Sequence, residues 1–204
     1  MFEIEYHTYM KRCLLCLGVL VAAMILLVVA VDRDPDTGAP SYDEALAATA
    51  SDRMEPMPRG GDEEAAAMAR LSALWANLSE ENVRQSLASV YAEDVWFYDT
   101  VKTIQGLGNL AHYMQETAAR VHSCRVEFLD TMTTDEGYFI RWRMVIVPTA
   151  ADLHNPWISY GITHFRFNRD GRVVLHRDYW DPAAGIYEKL PGVGWILRNI
   201  RARL

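Results

Sequence analysis

The feature that most constrains the fold of this chain is a period-two hydrophobic pattern in its second half. Apolar and polar side chains alternate in four successive runs, at residues 122–134, 136–149, 157–168 and 171–181. Alternation of this kind is typical of strands that bury one face. Acidic, Asn and Gly residues separate the first two runs and the last two, as they do in hairpins. The pattern therefore predicts an antiparallel meander of four strands.

A helical pattern precedes the meander. Apolar residues recur at three- and four-residue spacing after residue 65 and again after Ser79, which is placed to cap the second helix. Two short strands are predicted at 95–100 and 102–106, and a third helix at 109–121. The order of elements predicts an α+β domain over residues 65–184, with three helices packed on a curved antiparallel sheet.

The first third of the chain contains an uncharged apolar run at residues 13–31. A helix of this length spans about 28 Å, close to the hydrocarbon thickness of a bilayer. Lys11 and Arg12 precede the run and acidic residues follow it, which predicts a single-pass anchor with residues 1–12 cytoplasmic and the domain extracytoplasmic. In a bacterium the domain would be periplasmic. A cleaved signal peptide, with Val28 and Ala30 at the cleavage site, is the alternative.

Residues 32–64 carry most of the charge imbalance, with ten acidic and three basic side chains. They contain few large apolar residues, so we expect a flexible acidic linker. The rest of the chain has 27 − 10 = 17 acidic and 20 − 3 = 17 basic residues, and is therefore neutral. Because nucleic-acid binders usually carry a basic excess, no nucleic-acid partner is predicted.

The C-terminal segment, residues 185–204, is basic and amphipathic. Trp195, Ile196 and Ile200 alternate with arginines at helical spacing. Three interpretations are open: a helix packed on the domain, a helix lying among the headgroups of membrane lipid, or a helix in the groove of a partner.

Two segments carry a resemblance to a known superfamily. YAEDVWFYD (91–99) and FNRDGRVVLHRDYWD (167–181), together with the order of elements, resemble the nuclear transport factor 2-like fold over residues 65–181. This superfamily includes ketosteroid isomerase, SnoaL-type polyketide cyclases and limonene-1,2-epoxide hydrolase. The resemblance implies a cone with a pocket at its open end. It leaves the function open, because the fold hosts enzymes, binding modules and assembly subunits.

The resemblance also suggests where chemistry would occur. HRDYWD is similar to the epoxide-hydrolase strand that supplies a catalytic aspartate, which maps to Asp178, while ketosteroid isomerases carry a base near the position of Asp99. The second acid of the hydrolases corresponds to an arginine here, in Arg141-Trp142-Arg143. The candidate catalytic residues are Asp178, Asp99 and His164, and the candidate ligand-binding residues are Tyr98, Arg141, Arg143, His176 and Trp180.

Strand parity places His176, Asp178 and Trp180 on one face of the last strand. Two roles are open for Asp178: a structural ion pair with Arg141 or Arg143, or a base for proton abstraction. No metal or other cofactor is predicted, because the six histidines show no metal-binding spacing.

The run 136–149 places Ile140, Trp142, Met144 and Ile146 on one face, which we expect a homodimer or another protein partner to cover. The main hypothesis is a membrane-anchored module that binds a small apolar ligand or assembles with a partner. The alternative is a small-molecule isomerase, cyclase or hydrolase, so that whether the chain is an enzyme stays open. An unfilled apolar pocket with a charged pair favours the enzyme, and a pocket filled by aromatic residues favours the module.

Overall fold

The computed structural model describes residues 41–190 and 192–203. Its centre is a six-stranded sheet of order β2-β1-β6-β5-β4-β3. The strands are β1 (Tyr91–Tyr98), β2 (Thr103–Gln105), β3 (Ser123–Thr134), β4 (Gly137–Val147), β5 (Trp157–Phe167) and β6 (Val173–Trp180). The predicted meander is confirmed, since β3 to β6 pair in sequence order and antiparallel.

One strand pair differs from the predicted antiparallel sheet. β1 pairs with β2 antiparallel, but it lies parallel to β6. Short turns fix the direction of neighbouring strands in the meander, whereas β1 and β6 are separated by most of the domain. No local turn signal therefore specifies their relative direction.

Three longer helices cover one face of the sheet, called here the inner face. They are α2 (Asp62–Ala76), α3 (Glu80–Val90) and α4 (Leu107–Ala119), and Ser79 caps α3 by accepting a hydrogen bond from the Asn82 amide. Leu71, Leu74, Val83 and Leu110 are fully buried in the core that these helices form with the sheet. The α+β class, with helices on a curved sheet, is thus confirmed.

The prediction of a flexible linker is wrong for residues 41–64. Helix α1 (Tyr42–Ala48) begins with a capping box, in which Ser41 and Glu44 each bind the other's backbone amide. Ala45 is fully buried with Tyr98 and Leu175 on the opposite, outer face of the sheet. The segment contains few apolar residues, but the sheet supplies the apolar partners that a free linker would lack.

The predicted cytoplasmic segment 1–12, the anchor 13–31 and the linker residues 32–40 lie outside the described residues. Within 41–190 and 192–203, no helix combines the length and the hydropathy needed to cross a bilayer.

The C-terminal region forms a short helix α5 (Pro182–Gly185), a 3₁₀ turn (Tyr187–Lys189) and helix α6 (Val193–Arg201). Helix α6 packs on the 3₁₀ turn through Gly194, where a side chain would overlap the Glu188 carbonyl, and Arg198 Nη1 donates to that carbonyl at 2.9 Å. Trp195, Ile196 and Ile200 are exposed. The helix is therefore docked through its polar side, and its apolar side chains face outward.

Candidate functional site

An apolar cavity of about 200 Å³ lies between the inner face of the sheet and helices α2 and α4. Most of its lining is aromatic or aliphatic, and the polar exceptions include Asp99, Tyr113, Thr163, His176 and Asp178. The lining residues of β4 and β6 are even-numbered and those of β5 are odd-numbered, because successive side chains of a strand point to opposite faces. The complete lining is Trp75, Leu78, Phe97, Asp99, Val101, Tyr113, Met114, Thr117, Ala118, Cys124, Val126, Phe128, Trp142, Met144, Ile146, Thr163, Phe165, His176, Asp178, Trp180 and Ile186.

A chain of hydrogen bonds runs from helix α2 to Asp178. Trp75 Nε1 donates to the Tyr91 hydroxyl at 3.0 Å, this hydroxyl lies 2.9 Å from His176 Nδ1, and His176 Nε2 lies 2.9 Å from Asp178 Oδ1. An indole N–H can only donate, so the Tyr91 oxygen accepts and its proton is free to bond Nδ1. His176 then carries its proton on Nε2 and donates it to Asp178. This arrangement satisfies every member with a neutral imidazole.

Burial reinforces that assignment at Tyr91. The side chain is fully buried, and desolvation raises the pKa of its hydroxyl well above the usual value. Tyr91 therefore keeps its proton and can donate it to His176.

A second series of hydrogen bonds reaches the Asp178 carboxylate from β4 and β5. Trp142 Nε1 donates to Thr163 Oγ1 at 2.7 Å, and the Thr163 hydroxyl donates to Asp178 Oδ1. Both chains end on Oδ1, whereas Oδ2 has no hydrogen-bond partner among the described residues. Asp178 is 8% exposed and lines the cavity. Its carboxylate is thus held in place through one oxygen and is free to bind a ligand through the other.

Asp99, the second candidate acid, is engaged by the protein. Its Oδ1 accepts from the amides of Val101 and Lys102 at 2.9 and 2.7 Å, and its Oδ2 accepts from the Tyr113 hydroxyl. Burial and the nearby Asp99 charge raise the pKa of Tyr113, which therefore remains a donor. Asp99 closes the turn that follows β1 and anchors α4 to that turn.

Arg141 and Arg143 do not lie at the cavity. Arg141 Nε donates to Asp130 Oδ2 at 2.7 Å, and Arg143 Nη1 lies 4.0 Å from Glu127 Oε2, both on the outer face. The predicted ion pair between Asp178 and one of these arginines is wrong. β5 separates β4 from β6, and odd-numbered residues of β4 point away from the cavity.

His164 and Tyr98 also lie away from the cavity. His164 stacks on Phe139 with ring centroids 4.5 Å apart, and its Nδ1 lies 3.0 Å from the Tyr42 hydroxyl. Burial lowers the pKa of His164. Tyr98 donates to the Ser41 carbonyl at 3.1 Å. Both residues fasten the segment that contains α1 to the outer face.

The structure therefore brings together four of the eight predicted site residues: Asp99, His176, Asp178 and Trp180. Trp180 Nε1 donates to the Asp99 carbonyl at 2.9 Å, which ties the end of β6 to the turn after β1. The sequence did not identify Trp75, Tyr91, Tyr113, Trp142 or Thr163 as site residues. Strand parity could have found the two on β4 and β5, since each has the parity of the lining residues on its strand.

The apolar residues predicted to form a partner surface instead face the interior. Ile140 is fully buried, and Trp142, Met144 and Ile146 line the cavity. The helices cover this face, so the argument for a partner on it is wrong. The homodimer itself stays a prediction.

Metal binding and nucleophilic attack by a cysteine have little support at this site. Within the described part of the chain, no group of three or more His, Cys, Asp or Glu side chains could hold a metal ion. Burial raises the pKa of the Cys124 thiol to about 12, so this thiol is a poor nucleophile at neutral pH.

Comparison with known proteins matches the family model of the SnoaL-like domain to residues 71–176. No curated protein matches the chain. Among solved structures, it is similar to an LEH-like epoxide hydrolase of M. tuberculosis, with a TM-score of 0.50, 15% identity and coverage of 68% of this chain and 92% of that one. It is equally similar, at a TM-score of 0.50 and 15% identity, to a hypothetical protein with a ketosteroid isomerase-like fold from Catenulispora acidiphila, in complex with trimethylamine; that match covers 59% of this chain and 88% of the other. At such identities the likeness concerns the fold.

Proposed function

The chain belongs to the SnoaL-like domain family. We propose that its domain binds a small, mainly apolar molecule, and that Asp178 is the polar group that contacts this molecule. One observation carries the proposal: an apolar cavity contains a carboxylate whose Oδ2 has no partner among the residues described. Asp178 lines this cavity, so a molecule that enters the cavity can donate a hydrogen bond to Oδ2.

The size of the cavity limits the ligand. Pockets for drug-sized molecules measure roughly 300–1,000 Å³, and an apolar cavity of ~150 Å³ holds benzene. At about 200 Å³, the cavity fits a molecule of one ring with a short substituent. The cavity is not filled by its own aromatic residues, which favours ligand binding over a purely structural module.

A second candidate function is catalysis on the bound molecule, as an isomerase or a cyclase. It is favoured by the chain from Trp75 to Asp178, which orients His176 and holds the Asp178 carboxylate beside the bound ligand. A carboxylate positioned in this way can act as a general base. Hydrolysis by an aspartate pair has less support, because Arg143 takes the position of the second acid and lies near Glu127 on the outer face, away from the cavity.

Filling the cavity tests the binding proposal. We expect the full chain to bind benzyl alcohol, and Ala118→Phe to weaken this binding at least tenfold, because residue 118 of α4 lines the cavity. Ala119→Phe is the matched control, since Ala119 is the exposed neighbour on the same helix. Isothermal titration calorimetry measures both, and circular dichroism checks that each variant is folded. Equal affinity in the two variants, or no binding by the natural chain, would contradict the proposal.

We further propose that residues 13–31 anchor the domain to a membrane, with residues 1–12 cytoplasmic and the domain on the other side. The proposal is supported by the length of the uncharged run and by the basic pair that precedes it. The exposed apolar side of α6 is consistent with a domain that works near lipid, where Trp and Ile side chains of a basic helix favour the interface.

Fractionation of cells that express the chain tests the anchor. We expect the protein to stay in the membrane pellet after alkaline carbonate extraction and to retain its N-terminal residues. An antibody against residues 1–12 and N-terminal sequencing measure the second point. Release by carbonate, or a mature protein that begins at residue 31 or later, would refute the anchor.

A further inference from the structure

We infer that the ligand of the cavity is a cation: a small amine whose apolar body occupies the cavity and whose ammonium group binds Asp178 Oδ2. The inference rests on the proposed function and names its ligand class. It follows from the charges, the hydrogen bonds and the walls of the cavity.

The charged groups at the cavity are of one sign. Asp99 and Asp178 line it, whereas no lysine or arginine does so among residues 41–190 and 192–203. The arginines of β4 lie on the outer face, where Arg141 pairs with Asp130 and Arg143 lies near Glu127. A cleft lined by one sign of charge with apolar walls focuses the potential and attracts the opposite charge.

The hydrogen bonds leave the Asp178 carboxylate without a lysine or arginine partner among the described residues. Where the Tyr91 hydroxyl donates to Nδ1, His176 donates from Nε2 as a neutral imidazole, and every hydrogen bond from Trp75 to Asp178 is made. Oδ1 of Asp178 accepts from His176 and from Thr163. A positively charged N–H donor on Oδ2 would supply the missing charge, and such charge-assisted bonds are roughly twice as strong as neutral ones.

The walls also suit a cation. Trp75, Phe97, Trp142 and Trp180 line the cavity together with His176 and Asp178. The faces of aromatic rings carry partial negative charge and attract ammonium groups, most strongly in indole. An anion of the same size would lie among these aromatic side chains beside Asp99 and Asp178, and is therefore disfavoured.

Three probes of one size but different charge test the inference: benzylamine, which is protonated at pH 7, benzyl alcohol, which is neutral, and benzoate. We expect the full chain to bind benzylamine at least tenfold more tightly than benzyl alcohol, with benzoate weakest, as measured by calorimetry at one salt concentration. Asp178→Asn should remove the advantage of benzylamine, so that the affinities of this variant for benzylamine and benzyl alcohol differ by less than about twofold. Asp130→Asn, the same change at an exposed outer-face aspartate, should keep the advantage.

The outcomes separate the two proposals. If benzyl alcohol binds as tightly as benzylamine, or if benzoate binds best, the ligand is not a cation, yet the cavity still binds small apolar molecules. If none of the three probes binds, the proposed function fails as well. An advantage for benzylamine that survives in a folded Asp178→Asn variant would overturn the role of Asp178. Should that variant be misfolded, the order of the three affinities in the natural chain decides the charge preference.

Discussion

Replacing Asp178 by leucine should lower the melting temperature by on the order of 10 °C, whereas replacing it by asparagine should leave the melting temperature unchanged or raise it. Leucine removes the acceptor of two buried hydrogen bonds and leaves the Thr163 hydroxyl and His176 Nε2 without a partner. Each unsatisfied buried donor costs about 1–3 kcal/mol, and each kcal/mol is worth about 2–4 °C in a chain of this length.

Asparagine behaves differently because its side-chain oxygen can accept both bonds. It also removes the cost of a buried charge without a cationic partner, and relaxing such a site is often neutral or stabilising. Differential scanning calorimetry of the natural protein and its two variants at pH 7 measures the three melting temperatures. A large loss with asparagine, equal to that with leucine, would show that the charge of Asp178 holds the fold, as an ion pair would.

Gly161→Ala should destabilise the domain by roughly 1–3 kcal/mol, a typical cost of overpacking a core. Gly161 on β5 lies opposite Trp142 on β4, and a Cβ atom there would overlap the Trp142 indole. The indole cannot move away cheaply, because it is 4% exposed and its Nε1 is bonded to Thr163 at 2.7 Å. Displacing it would also break one of the two chains that hold Asp178.

Gly108→Ala is the matched control for this change. Gly108 lies in α4, and an added Cβ atom would meet no atom within 4 Å. Alanine there should stabilise the helix by up to ~1 kcal/mol. Urea denaturation followed by circular dichroism gives both free energies of unfolding. A Gly161→Ala variant as stable as the natural chain would mean that Trp142 is not held as tightly as its contacts indicate.

The sequence predicted the elements well because each carries its own local signal. The helix cap at Ser79 and the strand predicted within 171–181 depend only on near neighbours, and both were confirmed. Strand parity alone placed His176, Asp178 and Trp180 on one face of the last strand, and in the structure this face lines the cavity. That part of the site was therefore predictable without knowledge of the strand order.

The rest of the site depends on contacts between segments that are distant in the sequence. Arg141 was a reasonable partner for Asp178 until the sheet order placed β5 between their strands. Tyr91 and Trp75 reach His176 from the start of β1 and from α2, and no spacing in the sequence links them. The prediction of a linker at 41–64 was wrong for the same reason, because composition alone does not show that the segment packs on the outer face of the sheet.

The two indole N–H groups that begin the hydrogen-bond chains also give the site a built-in spectroscopic reporter. Trp75 and Trp142 both line the cavity, and each is bonded to a hydroxyl that relays to Asp178. A ligand that changes the electron density on that carboxylate shifts the indole environment at the far end of each chain. Occupancy can therefore be followed in a protein that carries no attached probe, through the indole N–H proton resonances of these two side chains.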